Sequence, residues 1–157
     1  MSETLTGGCQ CGAVRFAVSE LGRPSICHCR MCQKAFGSLF APLVSAKDGR
    51  FTRGKPKWFD SSNLARRAFC SYCGTPLAYE TRYGLELAVG AFDQPDRVAP
   101  VIQVNLNDKL AVYDQLSTLP VKQQQSEEWL DFMAEVRSCQ HPDHETENWP
   151  PKGENHD

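Results

Sequence analysis

The sequence predicts one mainly β domain, with a short helix in its first half and a further helix added near the C-terminus. Three observations lead there. Between Gly12 and Phe92 apolar residues come in short runs broken by Gly, Pro and Asp, and no long segment repeats with helical period. The length of 157 residues suits a single core and is too short for two ordinary domains. Hydrophobic residues make up 41% and charged residues 23%, the balance of a globular chain rather than a disordered or fibrous one.

Candidate strands follow in order at 13–18, 39–45, 56–61, 64–70, 76–80 and 85–90. Gly22-Arg23-Pro24, Lys47-Asp48-Gly49 and Arg53-Gly54-Lys55-Pro56 read as turns between them. A short helix fits residues 30–36, directly after a cysteine cluster, and Gly37 stops it just past its last turn. That helix brings Lys34 within reach of the cluster. Ser126 can cap a second helix, in which Trp129, Phe132, Met133 and Val136 fall at i, i+3, i+4 and i+7. Such a stripe must dock. Packing on the sheet of its own subunit is expected, with a homodimer contact or a lid over the site as alternatives. From Ser138 onward the residues are polar, with Pro142, Pro150 and Pro151, and little there offsets the entropy of ordering a backbone. The expected organisation is a β domain over 1–120, an amphipathic helix over 121–137 and a flexible tail over 138–157.

Net charge is -2, from 17 basic and 19 acidic residues, so no global field draws the chain to nucleic acid or to an anionic membrane. The first twenty residues contain Glu3, Arg15 and Glu20 and no continuous apolar stretch, and nowhere does an apolar run reach membrane-spanning length. A cytoplasmic location is the expectation.

The eight cysteines divide into the pair Cys9 and Cys11, the triplet Cys27, Cys29 and Cys32, the pair Cys70 and Cys73, and Cys139 left over. With no secretion signal, metal ligation is favoured over disulfides. In extended backbone, residues i and i+2 face one way, so Cys9 and Cys11 can aim both thiolates at one point while Gln10 faces away. Cys70 and Cys73 have the spacing of a zinc knuckle, with Gly74 relieving the turn. Neither pair completes a site. Together they supply the four thiolates of a tetrahedral structural zinc that ties the N-terminal strand to the middle of the sheet.

The triplet differs, because three thiolates leave a tetrahedral metal one ligand short, as in a catalytic zinc site. His28 alternates with Cys27 and Cys29, so its ring is aimed to the opposite side, where it packs or hydrogen-bonds. Cys139, His141 and His144 have Cys-x-His-x-x-His spacing and are the residues that could close this second site into a structural one. Otherwise they belong to a solvated tail.

Together these residues resemble one known family. Gly8-Cys9-Gln10-Cys11-Gly12, Cys27-His28-Cys29-Arg30-Met31-Cys32 with Lys34 and Gly37, Arg67-Ala68-Phe69-Cys70-Ser71-Tyr72-Cys73-Gly74-Thr75-Pro76-Leu77, and Gly90-Ala91-Phe92-Asp93 are similar to the motifs of the glutathione-dependent formaldehyde-activating enzymes, a family that also includes centromere protein V. The resemblance runs from about residue 7 to 120. It implies an Mss4-like fold of folded antiparallel sheets, and two zinc ions per chain. Cys9, Cys11, Cys70 and Cys73 would hold the structural zinc, and Cys27, Cys29 and Cys32 the second. The implied activity is addition of glutathione to formaldehyde, formally a carbon–sulfur lyase in reverse. Where the family typically has a His soon after a Pro, and later a Trp before a closing Leu-Pro, this chain has Pro100-Val101-Ile102-Gln103 and Val112-Tyr113 before Leu119-Pro120.

A thiol entering the open place would be deprotonated by the metal, or a carbonyl there polarised. Thiolate-rich sites carry net negative charge, so nearby cations should offset it and hold an acidic ligand. Arg30, Lys34 and Arg67 are the expected substrate-binding residues, with Arg66 beside them. The expected partners are a small thiol and a small carbonyl, with no nucleic acid and no membrane. The alternative is a non-catalytic zinc module that binds another protein.

Overall fold

A computed structural model describes residues 3–122 and 125–149. Among them β1 (Leu5–Gly8), β2 (Arg15–Val18) and β5 (Arg50–Arg53) form a small antiparallel sheet with β2 in the middle. A larger sheet contains β3 (Ser25–Cys27), β4 (Ala41–Ser45), β6 (Lys57–Ser62), β7 (Ala65–Phe69), β8 (Pro76–Thr81), β9 (Gly84–Ala88) and β10 (Ile102–Val104). Its order is β10-β3-β4-β9-β8-β7-β6, antiparallel except where β10 runs parallel to β3. The fold is mainly β, as the sequence predicts. The six expected strands are all present, with ends shifted by up to two residues.

The core lies between the sheets. Phe16 and Val18 of β2, Val44 of β4, Leu77 of β8 and Leu87 of β9 are completely buried, and each contributes about 1.5–3 kcal/mol by leaving water. Phe16 meets Phe92 edge to face at 5.0 Å. All four residues of β2 are buried, so both of its faces are covered. Phe16 and Val18 fill the core, while Arg15, on the alternate face, is only 2% exposed and pairs with Asp93 at 2.5 Å. At Asp93 burial opposes ionisation, but the Arg15 guanidinium and the Thr6 hydroxyl outweigh it and hold the carboxyl below its usual range.

Four strands escape the periodicity reading. β3 and β10 are three residues long, too short to display a period, and β5 is four. β1 reads Leu-Thr-Gly-Gly, a poor strand by propensity. Packing explains Gly7: a Cβ there would stand 2.3 Å from the Ala91 carbonyl oxygen and 2.5 Å from the Phe16 ring.

Helix α1 (Arg30–Phe36) occupies the expected residues, and Gly37 closes it in the left-handed region at φ 56°. Helix α2 (Glu127–Glu135) is capped by Ser126, whose hydroxyl accepts from Trp129 N. The docking of its stripe is corrected: Trp129, Phe132, Met133 and Val136 are each about half exposed. The stripe therefore does not pack on the sheet of its own chain, and the helix starts at the Ser126 cap with Glu127 and Glu128 in its first turn. No described helix is long and apolar enough to cross a membrane.

The flexible tail expected from Ser138 is also corrected, over residues 139–149. His141 is 7% exposed and its N–H donates to Gln10 O at 2.8 Å. Glu145 accepts from Arg15 at 2.9 Å, Arg53 donates to the Thr146 carbonyl, and Trp149 Nε1 donates to Cys11 O at 2.6 Å. Polar partners order this strap, and apolar composition does not count them. The rest of the expected tail, 150–157, lies outside the described residues. Trp149→Ala should cost about 1–2 kcal/mol, since it removes a hydrogen bond to a half-buried carbonyl. A thermal midpoint lower by about 2–8 °C, with faster proteolysis around residue 140, is the expected reading. Parental values for both would show that Trp149 does not hold the strap.

Candidate metal centres

Two groups of cysteines converge. The Sγ atoms of Cys9, Cys11, Cys70 and Cys73 lie within 4.8 Å of one another, as do those of Cys27, Cys29 and Cys32. A tetrahedral ion with metal–sulfur distances of about 2.3 Å requires sulfur–sulfur edges of about 3.8 Å. The Cys9–Cys11 and Cys11–Cys70 separations are 3.6 and 3.8 Å, so the first group fits such an ion.

Two turns build the first group, and here the extended conformation expected at Cys9–Cys11 is corrected. Gly12 N donates to Cys9 O at 3.0 Å and Gly12 has φ 74°, so a tight turn rather than strand alternation brings the two sulfurs together. Gln10 is exposed, as expected. The second turn is the knuckle: Gly74 N donates to Cys70 O at 2.9 Å and Cys70 N to Thr75 O at 3.0 Å. Gln10 N donates to Thr75 Oγ1 and joins the two turns. Cys9 and Cys70 are buried, and burial raises the Cys9 thiol. At Cys73 burial also opposes ionisation, yet hydrogen bonds from the Thr75 hydroxyl and backbone win and bring it down to about 6.

The second group sits where β3 passes into α1. Cys27 ends β3, Cys29 is the N-cap of α1 and Cys32 lies in its first turn, with Cys32 N donating to Cys29 Sγ at 3.4 Å. Buried Gln33 pins this corner by donating to His28 O at 2.8 Å and Asp108 O at 2.9 Å. His28 is turned away as predicted: it is fully buried, its Nε2 lies 2.9 Å from Gln103 Oε1, and Tyr113 meets it edge to face at 4.6 Å. Gln103 and Tyr113 are the residues at the two departures from the family pattern, and both pack on this histidine.

Donors gather around these sulfurs. Arg67 Nη2 lies 3.4 Å from Cys32 Sγ and Asn105 Nδ2 3.2 Å from Cys27 Sγ. The Cys32 thiol and the Asn105 amide bring Cys27 down to about 5 against burial, while Cys32 is pushed up by donating to Cys27 and by burial. Burial, and then the nearby Cys27 charge, raise the Glu86 carboxyl. Arg67 is 7% exposed and stacks on Tyr79, with Nε and Nη1 buried and without a hydrogen-bond partner among the described residues. A cationic side chain left short of partners suits an anionic, thiolate-rich centre.

The three cations expected to bind substrate come together. Arg30, Lys34 and Arg67 line one cleft of about 360 Å³ with Met31, Ala35 and Phe59. None of the three sulfurs lines it, and it borders the triplet through Arg67. Arg66 does not join them. One residue along β7 it faces the other way, ion-paired with Glu80 and lying over Trp58. Larger concavities of about 450 and 480 Å³ lie beside the first group and at the β6–β7 turn, away from the triplet. Of the residues that could close the second site, none of Cys139, His141 and His144 joins the three sulfurs: His141 packs beside the first group, and Cys139 and His144 are exposed. Asn105 and Glu86 were not legible as site residues because they lie far from the triplet in sequence, and Gln33, although next to Cys32, has a side chain with no metal-ligand signature.

Comparison with known proteins agrees with this architecture. The sequence model of the family described as glutathione-dependent formaldehyde-activating enzyme matches residues 4–108. A Schizosaccharomyces pombe protein named an uncharacterized lyase is 30% identical over 119 residues, which cover 69% of this chain and 82% of the relative. A Rhodobacter sphaeroides protein of known crystal structure superposes with a TM-score of 0.52 at 25% identity, over 63% of this chain and 99% of its own. The chain therefore belongs to the family of glutathione-dependent formaldehyde-activating enzymes.

Proposed function

We propose that this protein is a zinc-dependent carbon–sulfur lyase that joins a small thiol of the glutathione type to formaldehyde or a related small carbonyl, and catalyses the reverse cleavage. One observation carries this reading. Cys27, Cys29 and Cys32 converge, and no fourth Cys, His, Asp or Glu joins them among the described residues. The family, and the lyase name of the yeast relative, point to the same reaction class. They also weigh against a purely structural second site, as does the placing of His141 and Cys139 elsewhere.

All-thiolate donor sets suit zinc. Cys9, Cys11, Cys70 and Cys73 would hold a closed structural ion, and Cys27, Cys29 and Cys32 a second ion with a place for substrate. Bound there, zinc supplies Lewis acidity and favours the thiolate form of an incoming thiol. The rest falls to the chain. Arg30 and Lys34 attract carboxylates of the thiol substrate to the cleft, and Met31, Ala35 and Phe59 cover its carbon stem. Arg67 places positive charge between the cleft and the sulfurs, where negative charge grows on the carbonyl oxygen. In the forward direction the thiol sulfur bonds to the carbonyl carbon, the C=O π pair moves to oxygen, and the thiol proton ends on that oxygen. Cleavage reverses each transfer.

Zinc-loaded protein mixed with glutathione and formaldehyde should speed adduct formation and breakdown over buffer, as followed by exchange between their NMR signals. Arg67→Lys keeps the charge but loses the planar fork, and should lower kcat/KM by about a hundredfold. No acceleration in either direction by the wild type would rule out the namesake reaction.

A further inference from the structure

We propose that Asn105 is a positioning residue of the three-cysteine site, its side-chain amide holding the Cys27 sulfur ready to bind a metal. This rests on the reading of the triplet as a metal site. Asn105 is the one non-glycine residue with positive φ among those described, at φ 56° and ψ 53°. Few L residues adopt that region, and Asn is among those that tolerate it. The conformation does not serve the 3-10 turn that follows, because the Asn105 side chain makes no capping hydrogen bond to it. It serves Cys27, carrying Nδ2 to 3.2 Å from Sγ.

The fold brings the two residues together through the single parallel pairing among the described residues. β10 runs alongside β3 with Val104 opposite Cys27, and His28 N donates to Val104 O at 3.1 Å. Asn105 is the next residue, and its left-handed turn bends the chain toward the sulfur. An amide nitrogen only donates, so in this contact Cys27 Sγ is the acceptor, and the amide fixes where that sulfur points. The other two sulfurs have donors of different kinds, the Arg67 guanidinium for Cys32 and the Cys32 backbone N–H for Cys29, each at 3.4 Å. Asn105 is thus the neutral side-chain donor of the set and makes the shortest contact. Residues that orient a metal's ligands in this way change its affinity by about 10–100-fold.

Two variants separate the amide from the backbone. Asn105→Gly accepts positive φ and has no amide. Asn105→Asp keeps size and tolerates the turn, but sets a carboxylate against the sulfur. Each full-length variant would be loaded with cobalt and titrated with a chromophoric chelator, with the thiolate-to-cobalt charge-transfer band and the thermal midpoint followed together. The expected result is release of the second equivalent at roughly tenfold lower chelator for Gly, and lower still for Asp. The first equivalent and the midpoint should stay near parental. Retention of the second equivalent as in the parent, uptake of a single equivalent by the parent, or loss of both equivalents in both variants would each overturn the proposal. Shifted affinity in a protein that does not accelerate the thiol–carbonyl reaction would remove the proposed function and leave the role of Asn105 standing.

Discussion

Replacing Cys70 with Ser is expected to leave little folded protein. Cys70 is completely buried, and its sulfur lies 3.8 Å from that of Cys11 across 59 positions of sequence. The two turns it joins carry the small sheet and the β7–β8 corner of the large one, so the four-sulfur group ties the two sheets together. In such sites metal binding and folding are one event, worth about 10–16 kcal/mol in isolated zinc modules. A whole domain is stable by only about 5–15 kcal/mol. A buried hydroxyl replaces the thiolate poorly, and three remaining sulfurs hold the ion far less tightly. Insoluble expression, or a circular-dichroism melt without a cooperative transition, is the expected reading. A soluble Cys70→Ser protein that melts cooperatively with its full metal content would show that the group does not build the fold.

Much of this architecture was legible because each feature had a local chemical signature. Gly37 and the cysteine cluster bracket α1, and Gly, Pro and Asp punctuate the central strands. The partition of seven cysteines into four and three follows from spacing alone, and so does the turning away of His28. What escaped was set at a distance. β10 exists because it pairs with β3, and β3 because it pairs with both β10 and β4, not because three residues carry a pattern. Strand alternation was the wrong device for Cys9 and Cys11, since the segment from Cys9 to Gly12 is a turn closed by Gly12 at positive φ. The strap over Gly12 is held by Arg15, Arg53, Gln10 O and Cys11 O, none of them near it in sequence. Arg66 was a readable error: alternation along a strand already separates it from Arg67.

Cys29→Ser should give the opposite outcome to Cys70→Ser, a folded protein without its second metal. Cys29 is the N-cap of α1, where its sulfur accepts from Cys32 N, and it is only partly buried. Serine is among the best N-caps, so its hydroxyl can take over that hydrogen bond and the helix should start where it does now. Cys27 and Cys32 are 6% and 3% exposed, so the same change there would mix loss of metal with loss of packing. At Cys29 the two separate. The thermal midpoint should stay within a few degrees of the parent and the four-sulfur group should keep its ion, while metal content falls by one equivalent. The thiol–carbonyl reaction should slow by more than the about 10–100-fold that a supporting residue costs, because a ligand itself is gone. A Cys29→Ser protein with parental metal content and rate would place the chemistry elsewhere. One with parental rate but a single metal would show that the reaction does not need the three-sulfur site, and the cationic cleft beside Arg67 would then have to account for it alone.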